Sequence, residues 1–333
     1  MLNSFWGFMF FMGMLSGIWI SIHSNSWFGV WAGLELNLIC FIPFIIQGDT
    51  VCSEPSVKYF LVQACASFLL FFSGVSMMNY MGMMKSLITV SLLLKLGAAP
   101  FYFWYLWVGS SLKWLQFLSL STIQKISPLV LLFFSGLNKG SEVMIYSSII
   151  VGGVVGGIGG INEASLRKPL IYSSLNHMSW MMMPLVVENE LWLVYFFFYC
   201  LMLMMVVWIL YLLKLYYLNQ MFSVSISWVA KLTLLVSFLS LGGLPPLLGF
   251  FPKFMVIEMS SGSLMLFSLF FLIMSSVVTL FYYLRASLSV LMLDYSKIKF
   301  NFTFSEKFSM ILVMIMTMIG GIMSVLSFQS FLQ

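Results

Sequence analysis

The sequence has 333 residues, of which 62% are hydrophobic and only 8% are charged, and its mean hydropathy is +1.05. A chain this apolar lies outside the range of soluble globular domains, so the composition indicates a polytopic membrane protein. The net charge of +5 is small for this length, and no basic run is interleaved with stacking aromatic residues, so we expect no nucleic-acid partner.

About eleven segments are long and apolar enough to cross a bilayer as helices, which requires roughly 20 residues each. They span residues 4–22, 27–46, 57–79, 86–107, 118–136, 143–161, 169–187, 191–213, 230–257, 264–286 and 308–328. The segments are apolar on all sides, whereas the strands of a transmembrane barrel alternate between apolar and polar residues. The sequence therefore predicts an all-α polytopic membrane protein, with a kinked or broken helix between residues 86 and 136.

Basic residues fall unequally on the two sides of the membrane if these helices alternate in direction. One side receives Lys58, Lys113, Arg167, Lys168, Lys214, Arg285, Lys297, Lys299 and Lys307. The other side receives little beyond Lys85 and Lys139. By the positive-inside rule the first side, which also holds the N-terminus, is predicted to be the matrix or cytoplasm. The odd helix count then places the C-terminus on the opposite side.

The glycines and cysteines of the apolar segments are interpreted as packing residues. Gly152, Gly156 and Gly160 recur at every fourth position, which lets a neighbouring helix approach closely. This stretch lacks the Lys-Ser/Thr of a phosphate-binding loop, so it does not indicate a nucleotide site.

The chain also has four cysteines, which are Cys40, Cys52, Cys65 and Cys200. They show neither CxxC pairing nor an accompanying histidine cluster, so we expect no metal site.

Four charged residues are predicted to lie at membrane depth. Glu35 and Lys95 fall near the centres of their segments, Lys125 lies nearly as deep, and Lys253 lies in a segment that prolines interrupt. A charge at the bilayer centre costs about 2.5 to 3.5 kcal/mol, so such residues usually face a bundle interior or a water-filled cavity. A single buried Lys–Glu pair could serve helix packing alone. One acid and three lysines, far apart in sequence, favour a functional interpretation.

Proline breaks accompany two of these lysines. Pro100 follows Lys95 by five residues, and Pro245 and Pro246 precede Lys253. Proline removes a helical hydrogen bond, and the freed backbone groups need water or polar side chains inside a membrane. Each break therefore indicates a polar cavity beside a buried lysine.

The spacing of the breaks predicts the architecture. They fall five helices apart, an odd number, so the two units around them would have opposite orientation, as in transporters with inverted repeats. We expect a single transmembrane domain that contains two five-helix repeats with broken helices, at residues 1–137 and 138–290. A matrix loop and one extra C-terminal helix would follow at 291–333.

The buried charges suggest a proton relay. Burial disfavours the charged form of an amine, and a nearby carboxylate favours it. At an effective dielectric constant of about 20 and a separation of about 7 Å, opposite charges attract by roughly 2 kcal/mol, which is enough to change the proton occupancy of a buried lysine. We hypothesise that Glu35, Lys95, Lys125 and Lys253 form a charged axis that stores and relays protons. His177 is either a packing histidine or a further member of the relay.

Five stretches, in this order, carry a resemblance to a known family: SNSWFGVWAGLELNLICFIPFI, LLLKLGAAPFYFW, STIQKISPL, KPLIYSSLNHMSWMM and LGGLPPLLGFFPKF. They closely resemble the mitochondrial NADH dehydrogenase subunit 2 family, the antiporter-like membrane subunits of respiratory complex I. The resemblance covers nearly the whole chain. It implies a proton-translocating module of the mitochondrial inner membrane, with the N-terminus in the matrix and the C-terminus in the intermembrane space.

The resemblance also implies roles for individual residues. Glu35 matches the glutamate that pairs with the broken-helix lysine, which is Lys95 here. Lys125 matches the central relay lysine, and Lys253 the lysine after the second break, near an exit path. Tyr102 departs from the family, many of whose members carry histidine there, so a proton-carrying role is not expected at this position.

Cofactors and partners follow from the same resemblance. NADH, FMN, iron–sulfur clusters and ubiquinone would be handled by other subunits, so this chain is expected to hold no redox centre, although a bound phospholipid is expected. Its partners would be other membrane-arm subunits of complex I, including neighbouring antiporter-like subunits, and lipids. The larger members of the family have fourteen helices, and this chain is expected to lack the first three.

Two other functions remain open at this stage. A stand-alone cation/proton antiporter would share the fold and the buried charges, and its migration on a native gel would distinguish it from a subunit of a redox complex. A purely structural assembly subunit would tolerate substitution of the buried lysines.

Overall fold

The computed structural model describes residues 2–46, 53–78, 81–187, 189–223, 228–245, 247–260 and 265–291. The predicted helix at 308–328 lies outside the described residues, as do Cys52 and Pro246. Within the described ranges the regular elements are α-helices and one short 3₁₀ turn, with an isolated bridge between Ser165 and Tyr217. The predicted all-α fold is therefore confirmed.

The helices follow one another with short connections. They are α1 (Leu2–His23), α2 (Trp27–Ile46), α3 (Ser53–Val75), α4 (Met81–Leu96), α5 (Phe103–Ser111), α6 (Trp114–Ser121), α7 (Ile123–Phe134), α8 (Lys139–Gly159), α9 (Arg167–Val186), α10 (Leu191–Leu213), α11 (Leu218–Ser223), α12 (Trp228–Gly242), α13 (Phe250–Ser260) and α14 (Leu266–Leu291). Across the described ranges, seven helical segments are long and apolar enough to cross a membrane. The predicted multi-pass membrane protein is thus supported by the structure.

Three predicted segments each contain two helices instead of one. Residues 86–107 hold the end of α4 and the start of α5, and residues 230–257 hold most of α12 and α13. Gly97 and Gly243 follow the first helix of each pair, with φ of +66° and +83°, a left-handed conformation that ends an α-helix. The interruptions predicted from the prolines therefore begin at glycines that precede them.

The third divided segment, residues 118–136, has a different cause. Thr122 separates α6 from α7, and its φ of −117° departs from helical values. Its hydroxyl donates to the Leu118 carbonyl at 2.7 Å, a side-chain bond of the kind that bends helices. A hydropathy profile does not register such a local hydrogen bond, so the break was not localised from the sequence.

The first compact unit comprises residues 1–151. In it α1 packs along α2, α2 along α3 and α3 along α4, while α7 packs against both α1 and α4. A Cβ added at Gly17 would lie 2.8 Å from the carbonyl oxygen of Gly33, and one at Gly33 would lie 2.7 Å from that of Gly17. Only glycine at both positions permits this approach of the α1 and α2 backbones, which brings Glu35 and Asn37 of α2 beside the interior.

The second compact unit comprises residues 152–333, of which the structure describes those up to Leu291. Here α9 contacts α10, α13 and α14, while α12 packs along α14 and α10. Gly156 lies where an added Cβ would be 2.6 Å from the Tyr172 carbonyl oxygen, as expected for a close-packing glycine. The central helix α9 is less apolar than its neighbours because it carries buried polar side chains, which are Ser173, Ser174, Asn176, His177 and Ser179.

Candidate functional site

Lys95 is the penultimate residue of α4 and lies directly before the break between α4 and α5. The chain turns at Gly97, and two side chains satisfy carbonyl oxygens at the end of the broken helix. The indole N–H of Trp104 donates to Leu94 at 3.1 Å, and the Gln63 amide donates to Lys95 at 3.2 Å. A helix can therefore end inside the bundle at this point, because its terminal carbonyls have polar partners there.

A small polar cavity adjoins the Lys95 side chain, which is only 6% exposed. It has room for about one water molecule. Its walls include the polar side chains of Asn37, Tyr59, Gln63, Gln124 and Ser127. Such a cavity can hold a water that exchanges protons with the amine.

The cavity walls are joined by hydrogen bonds. Tyr59 donates its hydroxyl proton to Gln124 at 3.2 Å, and the Gln124 amide donates to Asn37 at 3.0 Å. Ser127 presents a buried hydroxyl that has no hydrogen-bond partner among the described residues. An unsatisfied hydroxyl in the wall of a water-sized cavity fits a bound water, since a buried polar group without a partner is costly.

Glu35, the predicted carboxylate partner, is half-buried on α2. It interacts electrostatically with Lys95 and with Tyr59. In the described structure Glu35 and Lys95 do not form a direct ion pair. The carboxylate can therefore influence the proton occupancy of Lys95 through the field between them, and a small displacement of either group would change that influence.

Lys125 lies near the start of α7 and is 2% exposed. Its Nζ lies 4.8 Å from the centroid of the Tyr105 ring on α5. The face of an aromatic ring attracts a cation, and this attraction increases where water is excluded. The arrangement offers a place for the charged form of Lys125 within the interior of the first unit.

Lys253 is the buried lysine of the second break and is 6% exposed. It lies on α13, and its ammonium donates to the carbonyl oxygen of Gly242, the last residue of α12, at 2.9 Å. A Cβ added at Gly243 would lie 2.7 Å from this Nζ. The cation thus satisfies a terminal carbonyl at the negative end of the α12 dipole, where positive charge is favoured.

His177 lies within α9 and is buried. Its Nδ1 lies 2.9 Å from the Tyr195 hydroxyl on α10, and its ring centroid is 5.3 Å from that of Tyr199. The bond to Tyr195 holds the imidazole in one orientation, which either a packing histidine or a proton carrier would require.

Sequence reasoning missed Lys231, a further lysine in the interior. Residue 231 lies at the edge of the predicted segment 230–257, whereas α12 begins at Trp228 and buries Lys231 to 5% exposure. The amide-bearing Gln63 and Gln124 were missed too, although a glutamine in an apolar segment is a signal that hydropathy averages conceal. Their partners depend on which helices meet, so the pairing itself could not be read from the sequence.

Residues 24–281 match the family model described as "NADH:quinone oxidoreductase/Mrp antiporter, TM". This range includes every buried residue of the predicted axis. A protein of Anopheles gambiae named NADH-ubiquinone oxidoreductase chain 2 is 38% identical over 332 residues, covering 95% of this chain and 96% of its own.

Solved structures with the same fold come from multi-subunit assemblies. A chain of respiratory complex I from Thermus thermophilus with bound aureothin matches with a TM-score of 0.81 and 20% identity, over 95% of this chain and 78% of its own. A chain of the Mrp complex from Dietzia sp. DQ12-45-1b matches with a TM-score of 0.76 and 13% identity, over 86% of this chain and 61% of its own. At these identities the likeness concerns the fold alone.

Proposed function

The chain belongs to the NADH:quinone oxidoreductase/Mrp antiporter family, and from this premise we propose that it is an antiporter-like core membrane subunit of NADH:ubiquinone oxidoreductase, respiratory complex I. Its role would be to translocate protons across the mitochondrial inner membrane. The observation that carries this proposal is the burial of Lys95, Lys125 and Lys253 inside a predominantly apolar chain, each on a helix that begins or ends at a break. A buried lysine is costly in a membrane, which favours a functional role for these three over packing alone.

In the first unit, the proton would be held by Lys95 and Lys125. Approach of the Glu35 carboxylate favours the protonated form of Lys95, and its withdrawal favours release of the proton. The water-sized cavity lined by Gln63 and Gln124 gives the released proton a polar route away from the amine. Charge on Lys125 would in turn disfavour the protonated form of Lys95, because like charges repel.

In the second unit, Lys253 would hold a proton near the exit. Protonated Lys253 donates to the Gly242 carbonyl, an acceptor that stabilises the charged form. Loss of the proton weakens this attraction and frees the side chain to move. His177 would serve as a further carrier, since neutral imidazole has one nitrogen that accepts a proton and one that donates.

The finer architecture is part of the proposal. We propose eleven transmembrane helices that form two inverted five-helix repeats at residues 1–137 and 138–290, with a last helix after residue 291. The glycine-and-proline breaks beside Lys95 and Lys253 support this, because broken helices at corresponding positions are typical of inverted repeats. The N-terminus would lie in the matrix and the C-terminus in the intermembrane space.

The redox chemistry would be performed elsewhere in the complex. We propose that NADH, FMN, iron–sulfur clusters and ubiquinone are bound by other subunits, and that this chain contributes proton translocation and binds phospholipid at its apolar surface. Its partners would be other membrane-arm subunits, including neighbouring antiporter-like subunits. The multi-subunit assemblies that contain its structural relatives support this.

Identification of the proteins that co-purify with the chain tests the assignment. The chain is extracted from mitochondrial membranes in mild detergent, separated on a native gel and analysed by mass spectrometry. We expect it in a large particle together with other membrane-arm subunits of complex I. Recovery of the chain by itself, active in cation/proton exchange, would support the alternative of a stand-alone antiporter.

A further inference from the structure

A further group of buried polar side chains lies between α9 and α14 in the second unit. The hydroxyl of Tyr283 on α14 donates to the Ser173 hydroxyl on α9 at 2.6 Å, and both residues are buried. Ser173 donates its own proton to the Leu170 carbonyl at 2.9 Å. The two hydroxyls form a continuous donor–acceptor chain between α14 and α9, which are also joined by a hydrogen bond from Ser275 to Asn176 at 2.9 Å.

The Ser173 hydroxyl bonds back to the Leu170 carbonyl in this structure, and His177 lies one helical turn further along α9. Ser173 and His177 are four residues apart on one helix, so they share a face and are separated by about 6 Å of helix rise. One water molecule bridges groups at such a separation. The Nδ1 atom of His177 lies 2.9 Å from the Tyr195 hydroxyl on α10. Polar groups therefore extend from α14 across α9 to α10.

The outer end of the chain meets a cavity. Tyr283 lines a space with room for about one water molecule, which Tyr282, Arg285 and Leu170 also line. Arg285 is exposed, and it lies two residues after Tyr283 on α14. The other walls are mostly apolar, but the buried Tyr282 hydroxyl has no hydrogen-bond partner among the described residues, so a water in the cavity would have a polar partner beside Tyr283 and Arg285.

We propose that Tyr283 and Ser173 form a proton-access path from the Arg285 end of α14 to His177. This rests on the proposed function, and it supplies the route by which protons reach the interior of the second unit. A protonated water in the cavity gives its extra proton to Tyr283 and remains as neutral water, while Tyr283 passes its own proton to Ser173. Ser173 rotates away from the Leu170 carbonyl and passes a proton through water to His177. Both hydroxyls end neutral, so one proton moves and no electrons are transferred.

Removal of single hydroxyls tests the path. Tyr283→Phe keeps the ring, which stacks on Phe238 at 5.7 Å, and removes only the hydroxyl. Ser173→Ala interrupts the same path on α9. The matched control is Ser179→Ala, because Ser179 is buried on the same helix and its hydroxyl bonds back to the Leu175 carbonyl at 3.1 Å.

The measurement is proton pumping coupled to NADH oxidation in submitochondrial vesicles, with the assembled complex quantified on native gels. We expect Tyr283→Phe and Ser173→Ala to slow pumping on the order of 10- to 100-fold at unchanged assembly. The ratio of the pumping rate in water to that in deuterium oxide should also increase, because proton access becomes rate-limiting. Ser179→Ala should pump normally. If Tyr283→Phe prevents assembly, Ser173→Ala decides the result.

Normal pumping and an unchanged deuterium effect in both path variants would overturn the proposal. A Lys125→Met variant separates this failure from failure of the proposed function. If Lys125→Met stops pumping while the path variants pump normally, protons reach the second unit by another route. If all three variants pump normally, the proposed function is wrong as well.

Discussion

The ammonium of Lys253 has two roles in this structure, one structural and one proposed for proton transfer. It satisfies the carbonyl of Gly242 at the end of α12, where water has little access. A buried carbonyl that loses its donor costs about 1 to 3 kcal/mol. Substitution of this lysine should therefore change both the stability and the activity of the protein.

We predict that Lys253→Met lowers the free energy of unfolding of the assembled subunit by about 1 to 3 kcal/mol, because it leaves the Gly242 carbonyl without its donor. It should also stop proton pumping. The matched control is Lys214→Met, since Lys214 is exposed at the end of α10. Thermal unfolding followed on native gels measures the first effect, and equal stability of the two variants would contradict the structural role.

Residue identity made part of the site predictable. The burial of Lys95, Lys125 and Lys253 could be predicted because each interrupts an apolar run, whereas their role in proton transfer stays a prediction. Tyr59 could not be identified in this way, since tyrosine is common in membrane helices. Its hydrogen bond to Gln124 joins residues 65 positions apart, and only the packing of α3 against the rest of the unit brings them together.

At the scale of the helix, the two breaks share a design in which glycine ends the first half and a polar side chain satisfies the freed carbonyl. Gln63 does this for the end of α4, and Lys253 does it for the end of α12. Gly243 has a φ of +83° and lies against the lysine amine, so it fixes both the turn and the position of the charge.

We predict that Gly243→Ala displaces the Lys253 amine and slows proton pumping by at least about tenfold, because the new Cβ would meet Nζ and the left-handed backbone costs about 1 to 2 kcal/mol. Gly242→Ala is the matched control. A Cβ there would lie 3.6 Å from its nearest neighbour, an ordinary contact, so pumping should be retained. The prediction fails if the two variants pump equally.

Helix boundaries were predictable where composition changes sharply. Segment 191–213 coincides with α10, because Glu190 and Lys214 flank an uninterrupted apolar run. The division of 118–136 at Thr122 could not be foreseen, since its cause is one hydroxyl bonded to a backbone carbonyl. Periodicity and hydropathy thus identify elements that span the bilayer, whereas they do not locate breaks that single hydrogen bonds create.

At the scale of the molecule, four lysines are buried among the described residues, while many large apolar side chains are exposed. Trp19, Phe68, Phe134 and Phe267 are each about two-thirds exposed or more, whereas the lysines of the proposed axis are almost fully buried. An exposed apolar surface around buried charged groups is explained by a hydrocarbon solvent. It leaves the interior as the only place where an ionisable group can be hydrated at membrane depth.

If buried lysines carry protons, a Lys95→Met variant should lower the number of protons pumped per electron transferred. Lys85→Met is the control, because Lys85 is a half-buried lysine on the same helix, α4, at the end far from the break. Vesicles that contain equal amounts of the assembled complex with either variant are assayed for protons pumped per NADH oxidised. We predict that Lys95→Met loses pumping by at least about tenfold while Lys85→Met retains it. Normal pumping by Lys95→Met would show that this buried lysine does not carry protons.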